Sequence, residues 1–311
     1  MLRSFFIGLS TNKSFRKFSE NSSIGRRVSH RFVAGMTVEE AIAAAQQLNR
    51  EGIAVTLDAL GESVTDEPHA NASAATYHRL LDEIASHNLR ANVSLKLTQM
   101  GMDVGGTNSP EGQALAERIV ASLIEHAANF QNFVRIDMEG SEYTEATLGI
   151  TERLFARFPH AVGTVLQAYM FRTEADADRL LQQGIRIRLC KGAYKEPAGI
   201  AFPAKSDVDA NYLKLAKRMI TSGVFCGIAT HDEAIITELC RFVDAHEIDK
   251  PAFEFQMLYG IRRDLQRKLV QKGYGVRVYV PFGTEWYPYF MRRLAERPAN
   301  VLFLAKNFFR T

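Results

Sequence analysis

Short apolar runs alternate with segments of helical periodicity from residue 53 onward. The segment SAATYHRLLDEIASHN at 73–88, for example, has apolar residues at three- and four-residue spacing and ends on Asn, as an amphipathic helix does. The alternation recurs about every thirty residues, as βα units require. The predicted strands are residues 53–60, 90–97, 133–139, 162–169, 185–192, 225–231, 252–258 and 276–281. Eight such units predict an α/β fold, a (βα)8 TIM-type barrel.

The chain has 311 residues, a length at which such barrels form one domain. We expect a catalytic barrel over residues 51–311, preceded by an N-terminal helical extension or cap over residues 1–50. The first residues, MLRSFFIGLSTNKSFRKFSENSSIGRR, are basic and rich in Ser. They are typical of a transit peptide, or of a short amphipathic cap that shields one end of the fold or rests on a membrane surface. The sequence leaves these alternatives open.

Composition excludes several classes of protein. The residues are 46% hydrophobic and 23% charged, and the net charge of +3 is too small to indicate a nucleic-acid partner. The three cysteines show no CxxC spacing, so they predict neither a disulfide framework nor a zinc site. A reducing cytoplasm fits them best. No apolar run reaches the ~20 residues that span a bilayer, which leaves peripheral contact at the inner face of the cell membrane open.

In a barrel of this kind the active site lies at the carboxyl ends of the strands. The polar residues expected there are Asp58, Glu62, Lys96, Asp137, Glu139, Gln167, Arg188, Lys191, Thr230, His231, Glu254, Gln256 and Tyr279. A charge inside a strand is costly to bury unless it is paired. We therefore expect Lys96, Asp137 and Arg188 to meet one another or a ligand in the barrel mouth. A purely structural cluster of ion pairs is the alternative.

The segment WYPYFMRRLAER at 286–297 predicts an eighth helix, which we expect to lean over the barrel mouth. Three- and four-residue spacings place Tyr289, Arg292, Arg293 and Glu296 on one face of it. The fork of a guanidinium matches a carboxylate bidentately, so this face is suited to a small anion. A solvated, salt-bridged helix face is the alternative.

Motifs for other chemistries are weak. The histidines lack metal-ligand spacing and there is no GxSxG. The glycine-rich loop at 101–113 lacks a GKS or GKT ending, so it is a weak nucleotide signal. Lys96 or Lys191 at a strand end suits a Schiff base or a phosphate contact. A Schiff-base or phosphate-binding barrel lyase is therefore the alternative enzyme.

Nine ordered segments resemble the proline dehydrogenases, a family also found as the flavin-bearing domain of proline utilization A. They include VTLDALGE (55–62), SLKLTQMG (94–101), RIRLCKGAYKEP (186–197), FEFQMLYGI (253–261) and WYPYFMRRLAERPAN (286–300). The others are residues 31–41, 135–140, 228–233 and 276–283. The resemblance implies a barrel that binds FAD noncovalently, oxidises L-proline to Δ1-pyrroline-5-carboxylate and passes electrons to a membrane quinone.

The resemblance also implies the substrate contacts. Arg292 and Arg293 would hold the proline carboxylate. The proline ring would be enclosed by Tyr289, Tyr279, Leu258 and Ala193, above a floor of Lys96 and Asp137. Glu62 would be a gate acid that pairs with Arg292. Tyr279 would crowd the carbon that carries the hydroxyl group in hydroxyproline, which favours proline as the substrate.

For FAD, the resemblance implies Arg188 beside flavin N5 and Gln167 at the edge of the isoalloxazine. The remaining contacts would come from Lys191, Gly192, Tyr194, Thr230, His231 and Glu296. Two positions depart from the common family pattern: Lys195 stands where many members carry an aromatic residue, and Asp232 where many carry Asn. A non-catalytic alternative keeps FAD only as a scaffold and docks a pyrroline-5-carboxylate dehydrogenase.

Overall fold

The computed structural model describes residues 32–61, 63–194, 196–287, 289 and 291. Eight parallel strands form a closed barrel in chain order, in which β1 pairs with both β2 and β8. They are β1 Ala54–Ala59, β2 Ala91–Leu95, β3 Val134–Ile136, β4 Val162–Gln167, β5 Arg186–Cys190, β6 Cys226–Ala229, β7 Phe253–Leu258 and β8 Gly275–Phe282. The predicted (βα)8 barrel is confirmed. Seven of the eight strands are shorter than predicted. In β2, β3, β5 and β6 the polar residues at the predicted end of the strand belong instead to the loop that follows.

Eight α-helices lie wholly within the described residues. They are α1 Val38–Arg50, α2 Glu67–Ser86, α3 Pro110–Asn129, α4 Ser141–Arg157, α5 Thr173–Gln182, α6 Lys205–Ile220, α7 Glu233–Ala245 and α8 Arg263–Gln271. Helix α1 precedes β1, and each of β1 to β7 is followed by one of the others. Short 3-10 helices occupy Thr98–Met100 and Lys250–Ala252. None of the described helices is long and apolar enough to cross a membrane.

The helix starts follow capping rules. Thr37 and Glu40 form a reciprocal capping box at α1. Asp66 at α2 and Ser109 at α3 accept hydrogen bonds from backbone N–H groups of the first turn, and each helix has a proline within its first two residues. Asp232 caps α7 by accepting from the Ala234 N–H. Short polar residues thus mark the start of these four helices.

The hydrophobic core lies between the strands and the surrounding helices. Leu57, Val93 and Ile136 of β1 to β3 are fully buried in it. Alternate residues point into the barrel. In most barrels of this kind that interior is filled by branched apolar side chains. Here polar side chains such as Ser94, Arg135 and Gln256 occupy it, all of them buried. The interior is therefore a hydrogen-bonded layer rather than an apolar plug.

The chain on either side of the barrel meets at the end of β8. The Ala34 N–H donates to the Pro281 carbonyl at 2.9 Å, and the Gly283 N–H donates to the Gly35 carbonyl at 2.9 Å. A second apolar cluster beside this junction contains Phe32, Val33, Trp286, Tyr287, Tyr289 and Met291. The last four of these are helical. The rest of the predicted eighth helix, and residues 1–31 of the predicted extension, lie outside the described residues.

Candidate active site

Asp137, which directly follows β3, is the centre of a hydrogen-bond network in the barrel mouth. Its Oδ1 accepts from Ser94 Oγ and from Arg188 Nη1, both at 2.7 Å. Its Oδ2 accepts from the Tyr279 hydroxyl at 2.8 Å. The three donors come from β2, β5 and β8, so the network crosses the barrel. A carboxylate that accepts three such bonds is held in a single orientation.

Contacts with several neighbouring side chains hold Arg188 in place. Its side chain is 8% exposed, its Nε donates to Gln256 Oε1, and its Cζ lies 5.2 Å from the centroid of the Tyr279 ring. A buried guanidinium is tolerated only with a counter-ion and good hydrogen bonds. Asp137 and Gln256 supply both, so Arg188 presents a fixed positive charge at the mouth.

Tyr279 keeps its proton in this environment. Burial raises the pKa of the Tyr279 hydroxyl well above its usual range, and the nearby charges of Asp137 and Asp58 raise it further, whereas Arg188 opposes them. The hydroxyl therefore remains the donor to Asp137. The Tyr279 Cα is paired with that of Leu258 on β7, which places these two predicted wall residues side by side.

Lys96 belongs to a second polar group at the mouth. Its Nζ lies 3.8 Å from Asp58 Oδ2, and its side chain is 13% exposed. The Tyr77 hydroxyl, which comes from α2, shares its single proton between Asp58 Oδ1 at 3.2 Å and Gln99 Oε1 at 3.1 Å. Burial raises the pKa of the Tyr77 hydroxyl, and the negative charges of Asp58 and Asp137 add to the shift. Tyr77 thus anchors the carboxylate that faces Lys96.

Sequence reasoning missed Ser94 and Tyr77. Ser94 lies two residues before Lys96 on the inward face of β2, so the period of the strand was a usable signal for it. Tyr77 lies on an amphipathic helix, and its hydroxyl reaches a strand residue 19 positions away. A buried tyrosine needs a partner for its hydroxyl, but no local pattern indicates which one.

Gln167 and Glu139 connect the loops after β2, β3, β4 and β5. Gln167 Nε2 donates to the Glu139 carbonyl at 2.9 Å, and Gln167 Oε1 accepts from the Ala193 N–H at 3.4 Å. The Glu139 carboxylate accepts from the Thr98 hydroxyl at 2.7 Å and from the Thr98 N–H at 3.2 Å. Glu139 is therefore occupied in holding the loop after β2, and Gln167 in holding the one that follows β5.

Lys191 is enclosed by two carboxylates. Its Nζ donates to Asp209 Oδ1 and, at 3.0 Å, to Asp232 Oδ2. Burial raises the pKa of each of these carboxyl groups, but hydrogen bonds from Lys191 and the positive charges of Lys191 and Lys205 outweigh it, so both pKa values lie below the usual range. This environment differs from the desolvated site, free of anions, in which a lysine becomes a Schiff-base nucleophile.

Gly192 allows the chain to turn tightly after Lys191. Its φ is +120°, and a Cβ at this position would lie 2.4 Å from Cδ1 of the Tyr169 ring. Only glycine fits this close approach of backbone to an aromatic ring. The two residues that follow, Ala193 and Tyr194, are exposed on the mouth side.

The loop after β6 is tied to β7. His231 Nε2 accepts from the Leu258 N–H at 2.9 Å, so this nitrogen carries no proton. Thr230 is buried, its N–H donates to the Gln256 carbonyl at 3.1 Å, and its hydroxyl oxygen accepts from the Asp232 N–H at 3.1 Å. These bonds hold the loop at the rim beside Leu258.

The structure does not bring every predicted residue to the mouth. The expectation for Glu254 is wrong, because β7 begins at Phe253 and Glu254 therefore lies near the amino end of the barrel, where it pairs with Arg277. Tyr289 is buried in the cluster around Trp286. Glu62, Arg292, Arg293 and Glu296 lie outside the described residues. The binding of the proline carboxylate by Arg292 and Arg293, and the ion pair of Glu62 with Arg292, therefore stay predictions.

Comparisons with known proteins agree on one family. The family model described as proline dehydrogenase matches residues 41–306. The chain is 41% identical over 307 residues to proline dehydrogenase 1 of Bacillus subtilis, covering 98% of each chain. It is 42% identical over 280 residues to a proline dehydrogenase of Deinococcus radiodurans, covering 90% of this chain and 89% of the relative.

A solved structure has the same fold. It is proline utilization A (PutA) from Bdellovibrio bacteriovorus inactivated by N-propargylglycine, which matches with a TM-score of 0.80 and 24% sequence identity. The match covers 92% of this chain and 34% of that protein, so this chain corresponds to about a third of its length. At this identity the likeness supports the barrel fold alone.

Proposed function

The chain belongs to the proline dehydrogenase family and catalyses the oxidation of proline, the first step of proline catabolism, and we propose that it does so with FAD bound at the carboxyl ends of the strands. The reaction is the oxidation of L-proline to Δ1-pyrroline-5-carboxylate. The main observation in support of the proposal is the hydrogen-bond network of Asp137, Arg188 and Tyr279 across the mouth of a barrel in this family. It puts one fixed cation and one oriented aromatic ring beside the same carboxylate.

The residues at the ends of β4, β5 and β6 fit a flavin. Gln167 and Thr230 are buried polar groups, and Arg188 is a buried cation whose charge is directed into the mouth. Lys191 and His231 follow on the adjoining loops. Amide, hydroxyl and cationic groups of this kind suit the carbonyl-rich edge of the isoalloxazine and the anionic pyrophosphate. Asp209 and Asp232 compete with a phosphate for Lys191, so we expect that contact to require an exchange of partners.

The substrate would lie between the two polar groups of the mouth. Lys96 presents an ammonium whose only slight exposure makes it a strong partner for a carboxylate. Tyr279 and Leu258 form a wall of fixed position, because the Tyr279 hydroxyl is held by Asp137 and the Leu258 N–H by His231. We propose Arg292 and Arg293 as the carboxylate clamp that completes this site, with Ala193 and Tyr289 as further walls and Glu62 as its gate acid.

The protein contributes orientation rather than a nucleophile. FAD, when bound, supplies the acceptor for the hydride that leaves proline C5. The residues of this chain must then hold the ring at about 3 to 3.5 Å from the acceptor and exclude water. Arg188 has a further task, because a buried cation stabilises the negative charge that develops during reduction. No lysine nucleophile is needed, and the two carboxylates around Lys191 do not favour the lyase alternative.

Electrons must leave the reduced enzyme, and we propose a quinone as their acceptor. A quinone is dissolved in the membrane, so this step requires contact of the cytoplasmic protein with the inner face of the cell membrane. The product would pass to a pyrroline-5-carboxylate dehydrogenase, either free or docked. These proposals rest on the family resemblance.

The first experiment is a visible spectrum of the purified protein, followed by addition of L-proline without oxygen. We expect flavin absorbance that bleaches on addition of proline. A yellow protein that proline does not bleach would contradict the assigned substrate and support the scaffold alternative. A protein that neither contains nor takes up FAD would overturn the proposed cofactor.

A further inference from the structure

A cavity of about 680 Å³ opens at the amino ends of the strands, on the face of the barrel opposite the proposed active site. Its lining comes from the first residues of β1, β2, β3, β5, β7 and β8, from the loops before the strands, and from the last turn of α2. We call it the amino-end cavity. Four arginines line it, and its described lining contains a single carboxylate. They are Arg90, Arg135, Arg186, Arg277 and Glu254.

The carboxylate of the cavity is already engaged. Glu254 Oε1 accepts from Arg277 Nε at 2.6 Å and from Gln256 Nε2 at 2.7 Å. Arg277 also donates through Nη1 to Asn92 Oδ1 at 2.9 Å and to the Val55 carbonyl at 2.6 Å. Glu254 thus neutralises Arg277, and among the described residues neither Arg135 nor Arg186 forms an ion pair.

Arg135 is the strongest indication of an anion-binding site in this cavity. It is 3% exposed, and within the described part of the chain its Nε has no hydrogen-bond partner. Its Nη1 donates to the backbone carbonyls of Thr164 and Arg186, at 2.9 and 2.6 Å. A buried donor without a partner is rare in folded proteins. Arginine is seldom buried without an ion-pair partner.

The electrostatic surroundings of Arg135 also indicate that an anion binds beside it. Burial lowers the pKa of the Arg135 guanidinium well below its usual range, and the charge of Arg188 and, less strongly, that of Arg277 lower it further, whereas the charges of Glu254 and Asp137 oppose these effects. A bound anion would reverse this shift, since an opposite charge favours the charged form of a buried group. The cavity is therefore short of negative charge.

Four phenylalanines give the cavity an apolar side: Phe130, Phe133, Phe225 and Phe253. Arg135 Cζ lies 4.6 Å from the Phe133 ring centroid, and Arg186 Cζ lies 5.5 Å from Phe133 and 5.7 Å from Phe225. Stacking holds a guanidinium by its face and leaves the edge, with its N–H groups, for a ligand. The volume is within the range of small-molecule sites.

We propose that the amino-end cavity binds a small organic anion. Its carboxylate or phosphate group contacts Arg135 and Arg186, and its apolar body packs against the phenylalanines. This site is separate from the mouth, and it holds neither the flavin nor proline.

The test uses isothermal titration calorimetry on the full chain, as purified and supplemented with FAD, in a buffer free of phosphate. The probes are phenyl phosphate, benzoate and inorganic phosphate. Binding of phenyl phosphate or benzoate in the wild type is the expected result, and the tighter of the two identifies the anionic group. No heat with either organic probe up to about 10 mM, or equal affinity for phenyl phosphate and inorganic phosphate, would overturn the proposal.

Arg186→Gln is the decisive variant, because Arg186 is only partly buried and makes no described side-chain hydrogen bond, so its replacement is compatible with folding. We expect it to weaken binding at least tenfold, as loss of a charge-assisted hydrogen bond does. Arg157→Gln is the matched control, since Arg157 Cζ lies 5.1 Å from the Phe158 ring outside the cavity. Its affinity should equal that of the wild type.

Two more variants locate the probe. Glu254→Gln removes the single carboxylate of the described lining and should tighten binding several-fold, by relieving repulsion of the anion. Lys96→Met alters the mouth and should leave the heat of binding unchanged. Weaker binding in Lys96→Met together with unchanged binding in Arg186→Gln would place the probe at the mouth and contradict the proposal.

Discussion

The two ends of this barrel use the same residue types in opposite ways. At the mouth, Arg188 and Lys96 face Asp137 and Asp58, so cations and carboxylates alternate across the site. At the other end Arg277 takes the single carboxylate of the described lining, and Arg135 is left with backbone carbonyls. The mouth is thus organised around its own ion pairs, whereas the amino-end cavity has an excess of positive charge. Ion pairs within a site fix the positions of its side chains, whereas a charge that no residue of the site neutralises attracts a ligand of opposite charge.

The two ends are also connected. Gln256 accepts a hydrogen bond from Arg188 and donates one to Glu254, which accepts from Arg277. A single glutamine on β7 therefore lies between the network of the mouth and that of the amino-end cavity. Substitutions at the mouth can therefore be compared with matched substitutions at the amino-end cavity.

The largest effect is expected from Asp137→Ala, which removes the carboxylate that three donors share. Arg188 would remain buried without its counter-ion, and such a loss costs roughly 3 to 5 kcal/mol. We expect the free energy of unfolding in urea to fall by about this amount, and proline oxidation to be lost. An unfolding midpoint like that of the wild type would show that Arg188 finds another partner.

Arg188→Lys separates charge from geometry at the mouth. A lysine keeps the positive charge but cannot bond to Asp137 and Gln256 in the same fork. We expect kcat for proline to fall by about 10- to 100-fold, roughly 1.4 to 2.7 kcal/mol. The matched control is Arg277→Lys at the amino-end cavity, where we expect a smaller effect on kcat. Equal losses in both variants would contradict a direct role for Arg188.

Tyr279→Ser tests the wall of the proposed substrate site. The change removes the ring and opens space beside Leu258, so the ratio of kcat/KM for hydroxyproline over that for proline should rise. A hydrogen bond from the Tyr279 hydroxyl to the Asp137 carboxylate is worth about 1.5 kcal/mol, so Tyr279→Phe should lower activity with proline about tenfold without changing that ratio. A fall in both activities without a shift in Tyr279→Ser would contradict the assignment.

The smallest effect is expected at the rim, from Lys191→Met. Both of its partners, Asp209 and Asp232, have folded-state pKa values below the usual range. Their stabilisation is therefore fully present above pH ~4, the unfolded pKa, and is lost as pH falls through the folded values. We expect Lys191→Met to reduce the free energy of unfolding at pH 7, and the difference from the wild type to shrink at pH 3. If the difference in the free energy of unfolding did not depend on pH, the ion pairs of Lys191 with Asp209 and Asp232 would be excluded as its cause.

Much of the fold was predictable because its signals are local. The period of the strands and the capping residues at Thr37, Asp66 and Ser109 depend on a few neighbouring positions. Parts of the mouth were also predictable, since Lys96, Asp137 and Arg188 are charges inside or next to apolar strands. The pairing of Asp137 with Arg188 was among the expected contacts, but the partner of Lys96 was not predictable. Lys96 faces Asp58, and Asp58 is held by Tyr77 from a helix, through contacts that no spacing encodes.

The error at Glu254 has a related cause. On an inward strand position, a shift of two residues keeps the side chain on the same face but moves it along the barrel, by about 7 Å. The alternating pattern therefore predicts that Glu254 and Gln256 point inward, but not which end of the barrel each one serves. Only the register of β7 with β8 places Glu254 beside Arg277.

Three features can be derived from the sequence: the order of strands and helices, the closed barrel that this order predicts, and the inward polar positions. They follow from periodicity and from local backbone chemistry. Which charges pair depends on the tertiary structure. Asp137 collects donors from three strands, and Arg135 is enclosed with Arg277 and Arg186 around one cavity. Closing the barrel brings together residues far apart in the chain, and Coulomb energies depend on distance and burial rather than on sequence separation.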